Sequence, residues 1–307
     1  MKTPKSAGSS TFRLTLWAGT ILLLTSSLTA RAQYNFTTIN YPGSDGTFPF
    51  GIDGNNIVGY AIVNSSPESF LYDGSSFTPL SVPGANETLA NGISGNDIVG
   101  TYTDNTGAAN GFLYDGSSYT TLDVPGANGT EALGISGNNI AGTYLDSGYN
   151  DHGFLYNGSS YTTIDVPGAN STSVYGIWGN DTVGYYNDAG GNHGFLYDGS
   201  TFTTLNVPGS IDTIAEGISG NDIVGFYQDA IGGTYGFLYD GSSYTTINVP
   251  GSLGTLVYGI SGNSLVGTYD NAGVSEGFLA TPVPEPGMAS LLGLGLAGLL
   301  IRRRQRV

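Results

Sequence analysis

Residues 111–152 read GFLYDGSSYTTLDVPGANGTEALGISGNNIAGTYLDSGYNDH, and this unit recurs through the body of the 307-residue chain. Its Phe-Leu opening stands at Phe70, Phe112, Phe154, Phe195, Phe237 and Phe278, spaced by 42, 42, 41, 42 and 41 residues. A Pro-Gly pair keeps step with it at Pro42, Pro83, Pro125, Pro167, Pro208 and Pro250. A period of about 42 residues marks a solenoid or a radial array, in which no single unit can bury its apolar face alone.

Within one unit the residues predict four short strands. Residues 111–114 form strand a, and Asp115-Gly116 is a hairpin turn into strand b at residues 118–124. Pro125-Gly126 ends strand b, because proline cannot donate to a ladder and glycine permits the turn. Strand c covers residues 132–136, Gly137-Asn138 turns the chain, and strand d covers residues 139–144. The longer and more variable stretch up to His152 is expected to link adjacent units. Four strands per unit, copied six times, predict an all-β, six-bladed β-propeller over residues 33–280. A linear solenoid of the same units is the alternative, although neither end shows the polar cap it would need. The phase argues for closure. The body opens on a strand b at Tyr34, and a spare strand a at residues 277–280 stands ready to pair with it and complete the first blade.

Glycine, at 50 residues, lacks the strict three-residue spacing of collagen, and 21 Tyr with 13 Phe are too many for a disordered chain. Zero cysteines exclude disulfides and thiolate metal sites. The net charge of -16 is divided unevenly: no Lys or Arg occurs between Ala32 and Arg302, whereas every acidic residue lies there. Such a body has nothing with which to neutralise phosphates, so nucleic acid is excluded as a direct partner. It has no Lys or Arg to hold a substrate carboxylate or a developing oxyanion either.

The two ends read as addresses. Residues 1–32 have a basic start, an apolar stretch and small residues at Ala30 and Ala32, the pattern of a secretory signal cleaved before Gln33. At the other end, residues 281–286 form a linker carrying Pro284-Glu285-Pro286, followed by apolar residues 287–301 and Arg302-Arg303-Arg304. Fifteen apolar residues reach about 22 Å as a helix, short of a hydrocarbon core of roughly 30 Å. These three elements in order resemble the PEP-CTERM sorting signal of Gram-negative bacteria. The resemblance implies recognition by an exosortase, transient membrane attachment through the helix of residues 287–307, and delivery to the cell surface, commonly beside exopolysaccharide. The repeats resemble the extracellular HAF type, in which His-Ala-Phe precedes a strand and Gly-Ile leads to Ile-Val-Gly. Here the triplet is His152-Gly153-Phe154 and His193-Gly194-Phe195, and four of the six units lack the histidine. That resemblance implies an exported repeat protein and supplies no catalytic residue.

Function is sought where the symmetry breaks. Trp178 replaces a residue that is Ser94, Ser136, Ser219 or Ser261 in four units and Asp53 in the first, and its ring either stacks on a sugar or packs between blades. His152 and His193 are the two histidines of the chain and occupy equivalent positions, as candidates for ligand or metal contact. Asp104, Asp146, Asp188, Asp229 and Asp270 recur after strand d; their oxygens suit calcium, or else cap solvated turns. The favoured reading is a non-enzymatic binding or structural module of the bacterial surface or matrix, with extracellular polysaccharide as a candidate ligand bound on one rim. The alternative is a carbohydrate-active hydrolase using Glu68, Glu131, Glu216, Glu276 or an Asp.

Overall fold

The computed structural model describes residues 34–283. Ala30, Ala32, Pro284, Glu285, Pro286 and Arg302 to Arg304, with the signal peptide and the apolar helix read from the sequence, lie outside the described residues.

Among the described residues the secondary structure is entirely β, in six four-stranded antiparallel sheets. After β1 (Tyr34–Ile39), blade 1 consists of β2 (Gly46–Asp53), β3 (Asn56–Val63), β4 (Ser66–Tyr72) and β5 (Phe77–Leu80). Blade 2 is β6 (Glu87–Ser94), β7 (Asp97–Thr103), β8 (Ala109–Tyr114) and β9 (Tyr119–Leu122). Blade 3 is β10 (Gly129–Ser136), β11 (Asn139–Leu145), β12 (Asp151–Tyr156) and β13 (Tyr161–Ile164). Blade 4 is β14 (Ser171–Trp178), β15 (Asp181–Asp188), β16 (Gly191–Tyr197) and β17 (Phe202–Leu205). Blade 5 is β18 (Ser210–Ser219), β19 (Asp222–Asp229), β20 (Thr234–Tyr239) and β21 (Tyr244–Ile247). Blade 6 joins β22 (Thr255–Ser261), β23 (Ser264–Asn271) and β24 (Val274–Pro282) to β1.

The predicted six-bladed propeller is therefore the observed fold, and β1 does pair with the spare strand, Tyr34 opposite Pro282 and Ile39 opposite Gly277. The division into blades differs from the expectation. Each sheet runs c-d-a-b, so β1 completes the last blade rather than β24 the first. The stretch after strand d is a hairpin inside the blade, closing with Asp188 opposite Gly191 in blade 4 and Asn271 opposite Val274 in blade 6. The Pro-Gly segment is the link between blades. It works because a buried threonine six residues on takes up a main-chain N–H left without a ladder partner. The N–H of Val124 donates to Thr130 Oγ1 and that of Val166 to Thr172 Oγ1, both at 3.0 Å, and the same bond recurs at Val82, Val207 and Val249.

The core lies between blades. Each blade contributes one fully buried phenylalanine from its third strand, Phe70, Phe112, Phe154, Phe195, Phe237 or Phe278. Each phenylalanine packs with a residue of the preceding blade: Val58 on the Phe112 cluster, Ala141 on the Phe195 cluster, and Val266 of blade 6 on the Phe70 cluster of blade 1. Burying such a side chain is worth roughly 1.5–3 kcal/mol. Apolar burial of this kind, with hydrogen bonding, holds a body that has no Lys or Arg ion pairs.

Contact at the axis closes the ring. A β-carbon added to Gly51 would stand 2.8 Å from the Asn91 carbonyl oxygen, and one on Gly134 would stand 2.6 Å from that of Tyr175. The same approach continues from Gly176 to Glu216 and Gly217 to Tyr258, and Gly259 returns it to Phe50 of blade 1. Any side chain at these positions would force neighbouring innermost strands apart, which is why the glycine recurs in every unit.

Candidate functional site

The register of each innermost strand slips by one residue just before this axial glycine, between Pro49 and Gly51, Ala132 and Gly134, Ala215 and Gly217, and likewise in the other blades. A bulge leaves one residue without a partner and re-aims its side chain. The six bulged residues are Phe50, Asn91, Leu133, Tyr175, Glu216 and Tyr258, and together they line a central cavity of about 240 Å³. The repeat thus keeps its scaffold and varies the one position that faces the axis.

The six are unequally surrounded. Towards blade 1 the space fills with rings: Phe50 lies 4.7 Å from Tyr258 and 5.6 Å from Tyr60, which stacks on Phe48 at 5.0 Å. Between blades 4 and 5 lies a second cavity of about 370 Å³, lined by Tyr175, Tyr185, Glu216, Phe226, Asp212 and Gln228, among others. Tyr175 and Tyr185 stack there with centroids 5.8 Å apart. Asp212 is held in place by accepting the main-chain N–H of Asn192 at 3.0 Å. Tyr175 and Glu216 line both cavities.

Glu216 is the distinctive group. Desolvation by the surrounding protein pushes its carboxyl up to about 8, so the group is mostly protonated at neutral pH. Burial, with the Glu216 charge second, pushes Tyr175 far up as well. Between blades 2 and 3, burial and then the charge of Asp151 raise Glu131 in a smaller cavity of about 80 Å³. Glu68 and Glu276 accept hydrogen bonds near the surface, from Tyr41 and from Tyr269 and Asn271 respectively.

The residues singled out from the sequence fall on opposite rims. Strand β15 starts beside Trp178, where Trp178 pairs Asp181, and ends at the hairpin of Asp188, roughly 24 Å away at 3.4 Å per residue. The aspartates Asp104, Asp146, Asp188, Asp229 and Asp270 stand at the ends of their second strands, on the rim towards which the blade 4–5 cavity lies. They do not converge. Each Oδ1 accepts main-chain N–H groups of its own turn, from Thr106 and Ala108 at Asp104, Gly148 and Asn150 at Asp146, Gly190 at Asp188, Ile231 and Gly233 at Asp229, and Gly273 at Asp270. Those bonds hold Asp146 down to about 2. Among the described residues no three His, Asp or Glu side chains come close enough to hold a metal ion.

His152 and His193 share that rim, in adjacent blades, and each is engaged within its own blade. His152 Nδ1 lies 2.9 Å from Asp165 and its Nε2 3.4 Å from Asp146. Burial lowers its pKa, but bonds and charge from Asp165 and Asp146 together outweigh that and raise it. His193 lies 3.2 Å from both Asn206 and Asp188. As a metal pair the two histidines would need carboxylates such as Asp151 or Asp188; His193 meets Asp188, whereas His152 meets Asp146 and Asp165, and each histidine stays with its own blade.

Trp178 is 51% exposed on the other rim, among the turns at the ends of the innermost strands. There a girdle of hydrogen bonds runs from blade to blade: Gly54 N–H to Ser261, Gly95 to Asp53, Gly137 to Ser94, Gly179 to Ser136 and Gly262 to Ser219. An indole cannot accept, so the bond from Gly220 to position 178 is missing. Trp178→Ser is expected to restore it and raise stability by about 0.5–1.5 kcal/mol in urea unfolding. An unchanged or lower midpoint would show that indole packing matters more than the girdle. Both Tyr34 and Pro282, where the described chain enters and leaves, lie on this Trp178 rim.

The segment from Pro282 onward decides the destination of the chain. Residues 282–304 match the PEP-CTERM protein-sorting motif. The chain carries an export address. Pro282, where the matched segment begins, lies on the rim opposite the blade 4–5 cavity. No helix among the described residues is long and apolar enough to cross a membrane. No curated protein sequence matches the chain. In fold it is similar to the SapL1 lectin solved with alpha methyl fucoside, with a TM-score of 0.53 at 16% identity, over 80% of this chain and 98% of that one. The Aleuria aurantia lectin, itself a six-bladed propeller, gives 0.45 at 14% identity over 81% and 100%. A Trypanosoma rangeli sialidase gives 0.49 at 11% identity over 84% and 60%.

Proposed function

We propose that this is a surface or matrix protein that acts by binding, and that it binds carbohydrate in the cavity between blades 4 and 5. The observation that carries this reading is where the repeat varies: its axial bulges bring Tyr175 and Glu216 together beside Tyr185, Phe226, Asp212 and Gln228. Ring faces for stacking beside a few fixed polar groups are what a sugar site needs. SapL1 is a lectin, so a scaffold of this kind can display a sugar site; the choice of pocket rests on this chain's own residues. The cavity lies towards the rim opposite Pro282, where the sorting segment begins, an arrangement suited to a ligand outside the cell. Exosortase-type machinery is the partner of that segment, and the HAF-like repeats agree with an exported body.

A hydrolase is the second reading, favoured by one observation: a protonated carboxyl, Glu216, and a second carboxyl, Asp212, line one cavity. Glycan binding and glycoside hydrolysis, both measured with and without calcium, separate the two. Binding without turnover, weakened at least about tenfold by Tyr185→Ala, is the expected result. Turnover abolished by Glu216→Gln or Asp212→Asn would establish the enzyme, and dependence on calcium would bring the rim aspartates into the site.

A further inference from the structure

The blade 4–5 cavity is lined by two acidic residues, Asp212 and Glu216, and by no basic one. Glu216 stands half-buried at the inner end of the cavity and takes no hydrogen bond from any described side chain or N–H; desolvation is what raises its carboxyl. Asp212 stands in the same wall, together with the rings of Tyr175, Tyr185 and Phe226, whose faces carry the negative side of the aromatic quadrupole. Glu216 is mostly protonated at neutral pH while the cavity is empty, and no Lys or Arg occurs between Ala32 and Arg302, so a cation that draws off its proton and pairs with the carboxylate has to come from solution.

The chemistry of the walls selects among cations. Calcium asks for six to eight oxygen ligands, and among the described residues no three carboxylates or histidines converge. Rings and a single inner carboxyl suit instead a large, weakly hydrated organic ammonium, which aromatic faces attract and a carboxylate neutralises. An anionic sugar would meet two carboxyls and no base.

We propose that this pocket binds an organic ammonium group, with Glu216 as its counter-ion and Tyr175, Tyr185 and Phe226 packed around it. The inference rests on the carbohydrate reading above and narrows it to sugars bearing a free amine; a quaternary ammonium solute is the other source of the same chemistry. Tyr185 and Phe226 occupy a position that is also aromatic in blade 1, Tyr60, but is Thr101, Thr143 and Thr268 in the other three blades, so the scaffold does not require a ring there, and only blades 4 and 5 bring two such rings to one cavity.

Calorimetric titration of the full exported chain at pH 7 with glucosamine, N-acetylglucosamine and tetramethylammonium tests it. Glucosamine is expected to bind at least about tenfold more tightly than N-acetylglucosamine, and tetramethylammonium to bind and to compete with it. Glu216→Gln should remove the preference for the charged sugar, and Tyr185→Ala should weaken both charged probes while leaving the melting temperature near that of the parent. Equal binding of the two sugars, or a preference that survives Glu216→Gln, overturns the ammonium site and leaves the carbohydrate reading standing. Binding of tetramethylammonium without either sugar supports the ammonium site and overturns the carbohydrate reading; binding of none of the three overturns both.

Discussion

Deleting residues 34–39 is expected to remove most of the stability of the propeller. Those residues form the outer strand of blade 6, joined to β24 along its whole length, from Tyr34 opposite Pro282 to Ile39 opposite Gly277. Ile39 is 5% exposed, and Phe36 meets the fully buried Phe278 edge-on at 5.6 Å. Loss of two large apolar contacts at roughly 1.5–3 kcal/mol each, together with an exposed strand edge, approaches the 5–15 kcal/mol that holds a typical domain. The melting transition should fall steeply and broaden, and the chain should become prone to association through β24. A synthetic peptide of residues 34–39 added in trans should recover part of the transition by strand addition. Thr37→Ala, on the exposed face of the same strand, should change stability by no more than about 0.5 kcal/mol. Unfolding of the shortened chain at the parent temperature would mean that the axial contacts, Gly259 against Phe50 among them, close the ring unaided.

The repeat period, the strands and the pairing of β1 with β24 were all legible in the sequence, because each rests on local chemistry copied six times. The boundary between blades was not, and the reason lies in the turns. Pro-Gly is uniform and looks like a tight turn inside a blade, yet it is a link held by a threonine clip. The true hairpins look irregular because their letters vary and their builds are more than one: blades 2, 3 and 5 share a turn whose left-handed residue is Gly107, Tyr149 or Gly232, whereas Asn64 and Ser65 in blade 1 and Ala272 in blade 6 take left-handed φ of 50°, 65° and 54° in other turns. The rim aspartates were legible as turn caps and as little more. Trp178 was legible as a break in symmetry, but its distance from the histidines depends on strand direction and so on the blade boundary. The axial residues could have been found: the position before Gly-Ile is Phe50, Asn91, Leu133, Tyr175, Glu216 and Tyr258, the variable letter in a repeated phrase. Its meaning depended on a bulge, which appears only once the register of both strands is known.

That bulge gives Glu216 the second large expected effect, on the dependence of stability on pH. The unfolded chain loses the Glu216 proton near 4.5, whereas the folded chain keeps it until about 8. Between those values the native state binds more protons than the unfolded one, so stability falls as pH rises. At 1.36 kcal/mol per pH unit the full penalty is about 5 kcal/mol, less to the extent that water in the cavity solvates the carboxylate. Tyr175, Tyr258 and Asp212 share the surroundings of Glu216, but burial pushes both phenols further up, out of the window, and Asp212 is common to parent and variant. Glu216→Gln isolates the effect: urea unfolding at pH 4.5 should give parent and variant within about 1 kcal/mol, and at pH 8.5 the variant should be ahead by several. Parallel stability curves across that range would show that the carboxyl is not desolvated. An ammonium ion bound against the ionised carboxylate opposes the same penalty, so tetramethylammonium should stabilise the parent most at the alkaline end, where the unpaired carboxylate costs most, and should leave Glu216→Gln nearly unmoved.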